Sequence, residues 1–430
     1  MENLLEIKKL SCAENKKRLK SEFNNALKDN KKAKMIGSFI LTDKAISRLY
    51  KLESNLLAKN HVLIEGPTGS SKTKTVQIYC LIKNLELIQF NISGETNEED
   101  LKGRTLSDPN SFSGFKFIKG HFADAFINGK ILLLDEINLA NQGVLNFIAN
   151  ALDSKLLVLE QDENEKDGSN VFQMHEDFRL IATQNPNDTS YICKREDLPE
   201  KLLQLFNVIY FPALTKNEIK EISKKIAEKN EYKKNIIIEE IANIHSNLID
   251  SEIAKKSPQC FTIRDINSVI KSISKKKNPD FEIDALMCFY GMRFEKKERQ
   301  TFYDQLMTNE NLPKNELKYE FPNNIYKNFF PTKSFEQVDK YAKIAIENGK
   351  HILFTGREGN GITSIAKLIA NRYSRNSNKD FTFVFTEETT IGDLIGRFIP
   401  ASSKNSENNI IEWKNGPLTE AIINGYSGVF

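Results

Sequence analysis

Apolar runs of strand length alternate with amphipathic segments through the first half of the chain. Runs of this kind occupy residues 62–64, 87–91, 131–134, 178–183 and 208–211. Nearly continuous apolar runs are typical of parallel strands that are buried on both faces. The intervening segments have apolar residues at helical spacing, as in residues 42–57, where Thr42 or Asp43 is the predicted N-cap. The alternation predicts a doubly wound parallel sheet whose ligand lies at the carboxyl ends of the strands.

Three further segments follow from the same patterning. Residues 105–120 contain Gly114 between aromatic residues, which predicts a small hairpin insert. Residues 1–35 hold twice as many basic as acidic residues, and we expect a solvated, partly helical lead-in rather than a nucleic-acid-binding arm. Only helical patterns follow residue 215, and they predict a small helical lid made of Glu218–Lys229, Ile236–Leu248, Ile263–Lys275 and Glu282–Met292.

Composition narrows the classes of function. The 430 residues are 40% hydrophobic and 28% charged, and a formal net charge of +3 by itself implies neither nucleic acid nor membrane. No apolar segment has the length of a membrane span, and no direct nucleic-acid site is evident. The cysteines, at positions 12, 80, 193, 260 and 288, form no paired motif, which predicts a reducing cytosolic or nuclear compartment and no zinc site.

The first candidate site is the turn after the first apolar run, HVLIEGPTGSSKT at residues 61–73. A strand, a Gly-rich turn and a helix that begins near Lys72 can wrap a triphosphate, because backbone N–H groups of the turn and of the helix N-terminus face the phosphates. The spacing fits G-x-x-x-x-G-K-[ST] except that Ser71 replaces the last glycine, a change that is tolerated if its φ stays negative. The predicted nucleotide-binding residues are Gly66, Pro67, Thr68, Gly69, Ser70, Ser71, Lys72, Thr73 and Thr75.

Metal-binding and catalytic groups are predicted around this loop. Lys72 can reach the β- and γ-phosphates, and the hydroxyl of Thr73 can ligate Mg²⁺. The run KILLLDEIN places Asp135 and Glu136 at the end of a buried strand, where Asp135 would hold Mg²⁺ through water and Glu136 would polarise the attacking water. Asn185, at the end of the run 178–183, is the candidate that contacts the γ-phosphate or the lytic water.

The sequence repeats itself near its C-terminal end. Gly356, Gly396 and Gly416 stand 290, 293 and 296 positions (356 − 66, 396 − 103, 416 − 120) after Gly66, Gly103 and Gly120, each within a similar stretch. Three matches in order at near-constant spacing predict the tandem duplication of one module. In that register the chain stops before the second acidic pair, so we expect a truncated second core and a fragment of a longer protein.

The second loop departs from the first at its most important position, because Ile362 stands where the lysine belongs. Without that cation the phosphates lose a charge-assisted contact, and Glu358 adds a negative charge to the loop. This degenerate second site, made of Gly356, Gly359, Gly361 and Thr363, is predicted to bind nucleotide weakly or not at all.

The stretches GPTGSSKT (66–73), LLLDEINLA (132–140) and ATQNP (182–186), together with the repeat, resemble the midasin family of dynein-related, MoxR-like AAA+ ATPases. The resemblance covers residues 40–430. It implies an α/β P-loop NTPase (AAA+) fold, an αβα sandwich with a helical lid, followed by a second, truncated AAA+ core. It also implies a ring of further AAA+ modules of the same polypeptide that remodels pre-60S ribosomal particles, with their assembly factors, in the nucleus (nucleolus and nucleoplasm).

Carried over by position, the resemblance makes ATP and Mg²⁺ the cofactors and implies catalytic roles for Glu136, for Asn185 as sensor 1 and for Arg264 as the sensor 2 of the lid. The family's finger arginine precedes a Phe at the end of the helix before the fifth strand. Here Leu205 precedes Phe206, so this module is not expected to activate its neighbour.

The predicted domains are a basic lead-in (1–35), an AAA+ core (36–212), a helical lid (213–296), a linker (297–325) and a truncated second core (326–430). An ATP-driven remodelling motor is the leading functional hypothesis. A MoxR-type or dynein-like AAA+ chaperone or motor would share its fold. A scaffold that binds ATP without hydrolysing it is the third alternative, and Leu205 and Ile362 favour it.

Overall fold

The structure is a computed structural model that describes residues 11–107, 115–159, 170–186, 197–251, 260–275, 281–314, 332–373, 381–400, 411–425 and 428–429. Gly114 and Cys193 lie outside these residues. The chain divides into two compact units, residues 1–270 and 271–430, and the division falls within a helix. The predicted domain boundaries remain predictions.

Unit one contains a parallel sheet and the helices that cover it. Its helices are α1 (Cys12–Lys28), α2 (Asn30–Ile36), α3 (Asp43–Leu57), α4 (Lys72–Lys83), α5 (Glu98–Lys102), α6 (His121–Asn128), α7 (Gln142–Ser154), α8 (Glu200–Gln204), α9 (Lys216–Lys229), α10 (Asn235–Ile249) and the first part of α11 (Ile263–Lys275). Its strands are β1 (His61–Glu65), β2 (Leu87–Asn91), β3 (Gly103–Ser107), β4 (Phe115–Lys119), β5 (Ile131–Asp135), β6 (Leu156–Val158), β7 (Val171–Gln173), β8 (Arg179–Gln184) and β9 (Phe206–Tyr210).

The central sheet has the strand order β2-β5-β8-β1-β9, and every neighbouring pair is parallel. Successive residues of β5 serve two hydrophobic cores: Leu132 packs with Phe122 and Phe126, whereas Leu133 packs with Val76. Burial on both faces explains why the sequence shows continuous apolar runs rather than alternation. The doubly wound sheet predicted from the sequence is confirmed.

Helix α3 shows how local sequence sets an element that leads into the sheet. The hydroxyl of Thr42 accepts from the backbone N–H of Ala45 at 3.1 Å, so Thr42 is the N-cap, one of the two predicted candidates. Leu49 and Leu52, two of the apolar residues at helical spacing, are fully buried on the inner face of the helix. The helix delivers the chain to β1, the strand that precedes the phosphate loop.

The N-terminal segment is helical as predicted, and most of residues 11–36 are exposed, but the segment is more than a solvated lead-in because one of its faces is packed. Leu19 and Phe23 of α1 are buried in the core that contains Val76 of the phosphate-loop helix α4. An ion cluster accompanies this packing, because α1, α3 and α4 supply basic and acidic groups that meet at one buried carboxylate, Glu53. The basic composition suggested solvation because it conceals a narrow apolar stripe on one face of α1.

Two antiparallel hairpins are inserted into unit one. Strands β3 and β4 pair over Gly103–Ser107 and Phe115–Lys119, which confirms the hairpin predicted for residues 105–120. Gly103 has a φ of 120°, and a β-carbon there would lie 2.4 Å from the carbonyl oxygen of Ile118, so only glycine fits the base of this hairpin. The second hairpin pairs β6 with β7.

Unit two contains the end of α11 and the remaining elements. These are α12 (Glu282–Phe289), α13 (Lys296–Thr308), α14 (Lys333–Glu347), α15 (Ile362–Tyr373), β10 (Phe381–Thr382), α16 (Ile391–Ile395), β11 (Gly396–Pro400), β12 (Ile411–Asn415), α17 (Pro417–Asn424) and β13 (Gly428–Val429). The predicted linker begins with α13, which buries Phe302 and Leu306, so this part of it is a packed helix. Residues 351–357 form no strand, and a second AAA+ core remains a prediction.

Within the part of the chain that the structure describes, we find no helix with the length and apolarity needed to cross a membrane.

Candidate nucleotide site

The phosphate loop adopts the strand–turn–helix path expected of it. Helix α4 begins at Lys72, directly after Ser71. The chain passes Gly66 in close contact with the segment that leaves β9, since a β-carbon on Gly66 would lie 2.2 Å from the carbonyl oxygen of Phe211. Gly69 has a φ of 84°, in the region that favours glycine.

Ser71 departs from the expectation that its φ stays negative. Its φ is 67° and its ψ is 26°, the left-handed conformation that the motif's glycine would adopt at little cost. A residue with a β-carbon loses roughly 1–2 kcal/mol in this conformation. Its side chain makes no capping hydrogen bond to α4 that would offset this cost. The loop therefore adopts the conformation expected of the motif, although serine is less favourable than glycine at this position.

Lys72 points its ammonium group into the loop and towards the end of β8. Nζ donates to the carbonyl oxygens of Gly66 at 2.6 Å and Pro67 at 3.1 Å, and to Oδ1 of Asn185 at 2.6 Å. The residue is 9% exposed. A buried ammonium group held at this position can neutralise the charge of a phosphate placed in the loop.

The carboxylate of Asp135 accepts hydrogen bonds from hydroxyl groups on two neighbouring elements, α4 and β8. The hydroxyl of Thr73 lies 2.8 Å from each carboxylate oxygen of Asp135. The hydroxyl of Thr183, which is fully buried, also donates to Oδ1 of Asp135. These oxygen donors are of the type that Mg²⁺ prefers, and they stand beside the phosphate loop. The residues present therefore fit the metal that the sequence predicts, with Thr73 and Asp135 as its protein ligands.

Glu136 is held at both its backbone and its carboxylate. Its backbone is left-handed, with a φ of 57°, and its N–H donates to the hydroxyl of Thr183 at 3.1 Å. Its Oε1 accepts from Nδ2 of Asn185 at 3.1 Å. The side chain of Asn185 therefore bridges Lys72 and Glu136. The backbone carbonyl oxygen of Asn185 accepts from Nδ2 of Asn138 at 2.9 Å.

Most of the predicted residues line one cavity of about 340 Å³. Among the phosphate-loop residues, those that line it are Thr68, Gly69, Ser71, Lys72, Thr73 and Thr75, whereas Gly66, Pro67 and Ser70 do not. Asp135, Glu136 and Asn185 line it as well. The hydroxyl of Thr75 donates to the backbone carbonyl of Ser71 at 2.8 Å, so it secures the first turn of α4.

The cavity lining also contains apolar side chains. They are Phe39 and Ile40, from the segment before α3, and Leu214 and Ile222, from the segment that enters the lid and from α9. A site that combines apolar side chains with a cationic group suits a ligand that carries both a flat ring and phosphates. The sequence reasoning did not find these apolar residues, because no motif marks them.

Arg264 also lines this cavity, as the sensor 2 hypothesis requires. It is exposed and stands in the first turn of α11. The same segment touches the loop, because a β-carbon on Gly69 would lie 3.3 Å from the side chain of Thr262. Leu205, at the finger position, is the C-cap of α8 and packs against the core of its own unit.

Arg48 is a further cavity residue that the sequence reasoning missed. Its guanidinium donates to the carbonyl oxygens of Ser70 at 3.5 Å and Pro212 at 3.3 Å, and it lies 3.9 Å from Glu218 of α9. Burial lowers the pKa of Arg48, and the nearby Glu218 carboxylate opposes that shift. A single arginine within an amphipathic helix carries no sequence signal for this role. Thr183 was missed too, although a hydroxyl residue inside an apolar strand could have drawn attention to it.

The degenerate second loop has positive φ angles at positions equivalent to those of the first loop. Gly359 and Gly361 have φ values of 81° and 69°, and a β-carbon on either would meet no atom within 4 Å. Ile362 begins α15, and its Cδ1 lies 3.0 Å from the position of a β-carbon on Gly356. The side chain at the lysine position thus folds back over the first glycine of its loop.

Residues 61–206 match the family model described as AAA domain (dynein-related subfamily). The matched range runs from the first residue of β1 to the first residue of β9 and contains the phosphate loop, the acidic pair and Asn185. Together with the strand order and the site, this match defines the class: unit one has the fold of an AAA+ P-loop ATPase.

Individual relatives add detail. Midasin of Dictyostelium discoideum is 27% identical over 240 residues, which are 52% of this chain and 4% of that protein. An uncharacterized protein of Staphylococcus epidermidis is 31% identical over 179 residues, 41% of this chain and 64% of that protein. NtrX from Brucella abortus, solved in complex with ADP, has a TM-score of 0.38 at 17% identity, and the alignment covers 66% of this chain and 65% of NtrX. The chain therefore spans a small part of the midasin and less than two thirds of the other two.

Proposed function

We propose that unit one binds ATP with Mg²⁺ and hydrolyses it. The observation that carries this proposal is the bridge that Asn185 makes between Lys72 and Glu136, next to the contact of Thr73 with Asp135. These groups come from three segments that are far apart in the sequence, and they line one cavity. Phosphoryl transfer needs positioning, a metal and charge stabilisation more than covalent chemistry, and this set of side chains supplies those requirements.

Each residue has a separate task in this mechanism. The ammonium of Lys72 and the backbone N–H groups of the loop would bind the phosphate oxygens, while Thr73 and Asp135 would hold the metal. When bound, Mg²⁺ would neutralise charge on the phosphates. Glu136 orients and polarises the attacking water, and Asn185 holds the Glu136 carboxylate at a fixed distance from Lys72. Arg264 contributes a cation from the lid side of the cavity.

Two substitutions in the full chain test the ATPase proposal. We expect Glu136→Gln to keep ATP affinity within a few-fold and to lower turnover by at least ~100-fold, because it removes the charge that polarises water. Lys72→Ala should abolish nucleotide binding. Glu65→Gln is the matched control, since Glu65 also ends a strand of the sheet but accepts from Gln184 and does not line the cavity. Turnover that survives Glu136→Gln would contradict the proposed role of that residue.

We further propose that the chain is part of a midasin-like remodelling motor that acts on pre-60S ribosomal particles in the nucleus, with further AAA+ modules of the same polypeptide as ring partners. The similarity to midasin and the internal repeat support this proposal. Positive φ angles recur at repeat-related positions, in the pairs Lys59 and Gly349, Gly69 and Gly359, Ser71 and Gly361, Gly103 and Gly396, and Gly129 and Gly425. Co-sedimentation of the tagged natural protein with purified pre-60S particles tests it, and a protein that stays unbound would count against it.

The second module is proposed to be structural. Ile362 cannot supply the cation that Lys72 supplies in the first loop. Nucleotide titration of the Lys72→Ala protein isolates the second loop, because the first site is then disabled. We expect no saturable binding up to roughly millimolar nucleotide, a Kd that corresponds to about 4 kcal/mol of binding. Micromolar binding would contradict this assignment.

Two alternatives remain distinct in their outcomes. The match to a dynein-related AAA domain is compatible with a MoxR-type or dynein-like AAA+ protein, for which ATP turnover would persist without any association with ribosomal particles. Leu205, which packs against its own core instead of presenting a cation, favours a scaffold that binds ATP without hydrolysing it. Such a scaffold would bind ATP and show no turnover, even in a complete ring of modules.

A further inference from the structure

Thr183 uses one hydroxyl group to hold two consecutive acidic residues. The residue lies on β8 and is fully buried. Its Oγ1 donates to Oδ1 of Asp135, and the same oxygen accepts from the backbone N–H of Glu136 at 3.1 Å. A hydroxyl carries one hydrogen to donate and lone pairs to accept with. Here both functions are directed at the acidic pair.

The contact to Asp135 orients a carboxylate that also faces the phosphate loop. Thr73 reaches both oxygens of Asp135 from the loop side, while Thr183 reaches Oδ1 from β8. A carboxylate with one oxygen held by a buried donor has a restricted side-chain rotation, so its free lone pairs keep one direction. Groups that hold a metal ligand in this way affect metal affinity although they never touch the metal.

The contact to Glu136 acts on the backbone. Glu136 has a left-handed conformation immediately after β5, and its N–H is the group that Thr183 accepts from. Asn185, two residues after Thr183, holds the carboxylate of the same residue. The end of β8 thus sets both the direction in which Glu136 leaves the strand and the position of its carboxylate.

We propose that Thr183 is a positioning residue for catalysis: it aims Asp135 at the metal and Glu136 at the attacking water. This inference rests on the ATPase function proposed above. A purely structural role would change the folding stability of the protein when the hydroxyl is removed. It would leave unchanged the way metal and nucleotide binding depend on each other.

The test compares Thr183→Val, which keeps the branched shape without the hydroxyl, with Thr183→Ser, which keeps the hydroxyl. Three quantities are measured on the folded full chain: affinity for a fluorescent ATP analogue in EDTA and in Mg²⁺, affinity of the nucleotide complex for Mn²⁺ by electron paramagnetic resonance, and kcat. For Thr183→Val we expect affinity in EDTA within about twofold of wild type, Mn²⁺ affinity lowered about tenfold and kcat lowered by 10- to 100-fold. Thr183→Ser, which keeps the hydroxyl, should have all three quantities within about threefold of wild type.

The controls separate the possible failures. Thr105→Val removes a threonine hydroxyl from strand β3, outside the site, and should match wild type in all three measurements. If Thr183→Val does not fold, Thr183→Cys replaces it, because a thiol is a weak donor of similar size. Wild-type Mn²⁺ affinity and kcat in Thr183→Val, or in Thr183→Cys where it is used instead, would overturn the inference. A Thr183→Ser protein as impaired as Thr183→Val would overturn it too. A wild-type chain that binds no nucleotide would overturn the proposed function itself.

Discussion

The hydroxyl of Thr73 lies 2.8 Å from each carboxylate oxygen of Asp135, although 62 positions separate the two residues in the chain. Thr73 stands in the first turn of α4, and Asp135 is the last residue of β5. Their contact brings the second half of the nucleotide site to the phosphate loop. It also places the two predicted metal ligands within reach of a single ion.

The contact between Gly66 and Phe211 predicts that even the smallest side chain is rejected at the start of the phosphate loop. A β-carbon there would lie 2.2 Å from a backbone carbonyl oxygen, so the loop or the segment after β9 must move. We expect Gly66→Ala to lower the free energy of unfolding by about 2 kcal/mol and to weaken ATP binding. Urea unfolding and nucleotide titration measure the two effects.

Gly94→Ala is the matched control for this change. A β-carbon on Gly94 would meet no atom within 4 Å, and Gly94 is not among the glycines with positive φ. Its substitution should be neutral or slightly stabilising, because alanine reduces the entropy of the unfolded chain. Equal losses in the two variants would contradict the packing argument.

Ser71 offers a site at which the wild-type residue is less favourable than glycine. Its left-handed backbone disfavours a β-carbon, and its side chain makes no capping hydrogen bond. Ser71→Gly should therefore raise the free energy of unfolding by about 0.5–1 kcal/mol, the backbone gain reduced by the greater freedom of glycine in the unfolded chain. Ser71→Ala retains the strain and should leave stability nearly unchanged. Urea unfolding checks both, and a destabilised Ser71→Gly protein would show that the hydroxyl matters more than the backbone.

His61 predicts a loss of stability in mild acid. Burial, and then the positive charges of Arg179 and Lys155, lowers the pKa of His61 to about 4, and Nδ1 of the neutral ring accepts from the backbone N–H of Leu180 at 3.0 Å. The unfolded chain takes up this proton near pH 6.5, before the folded protein does, so stability is present above pH 6.5 and falls as the pH drops to about 4. Protonation of His61 should lower the free energy of unfolding by about 3 kcal/mol over this pH range.

His61→Asn isolates this contribution from the carboxylates that titrate over the same range. An asparagine oxygen can accept from Leu180 but does not titrate. The difference in unfolding free energy between wild type and His61→Asn, measured from pH 7.5 to 4, should shift by about 3 kcal/mol in favour of the variant as the pH falls. A difference that is constant with pH would refute the assignment to His61.

Glu53 is the buried one of two carboxylates, with Glu22, that Arg18 and Lys83 share in the ion cluster that joins α1 to the phosphate-loop helix. Oε1 accepts from Nζ of Lys83 at 2.9 Å, Oε2 accepts from Arg18, and the residue is 2% exposed. Glu53→Gln leaves both cations with less compensation in a buried place, and we expect the free energy of unfolding to fall by about 3 kcal/mol. The exposed pair of Lys59 and Glu176 supplies the control, since Glu176→Gln should cost below about 1 kcal/mol. Thermal or urea unfolding distinguishes the two, and similar losses would mean that burial of the cluster contributes little.

Much of the site could be predicted from the sequence because its parts are local motifs. The loop around Lys72, the acidic end of β5 and the polar end of β8 each follow from a short run of residues and from the turn chemistry that ends it. Parallel strands align their carboxyl ends at one edge of the sheet, so the expectation that these three motifs meet needed no knowledge of packing. The helices of the lid and the hairpin β3–β4 were predicted on similarly local grounds.

Only the tertiary structure decided which side chains touch. The order β2-β5-β8-β1-β9 puts β8 between β5 and β1, and this neighbourhood is what gives Thr183 and Asn185 their contacts with the acidic pair. The burial of α1 against α4 and the approach of Phe211 to Gly66 depend on elements that lie far apart in the chain. Periodicity and turn chemistry act over a few residues, whereas such contacts depend on strand order and register, which sequence patterns do not encode locally.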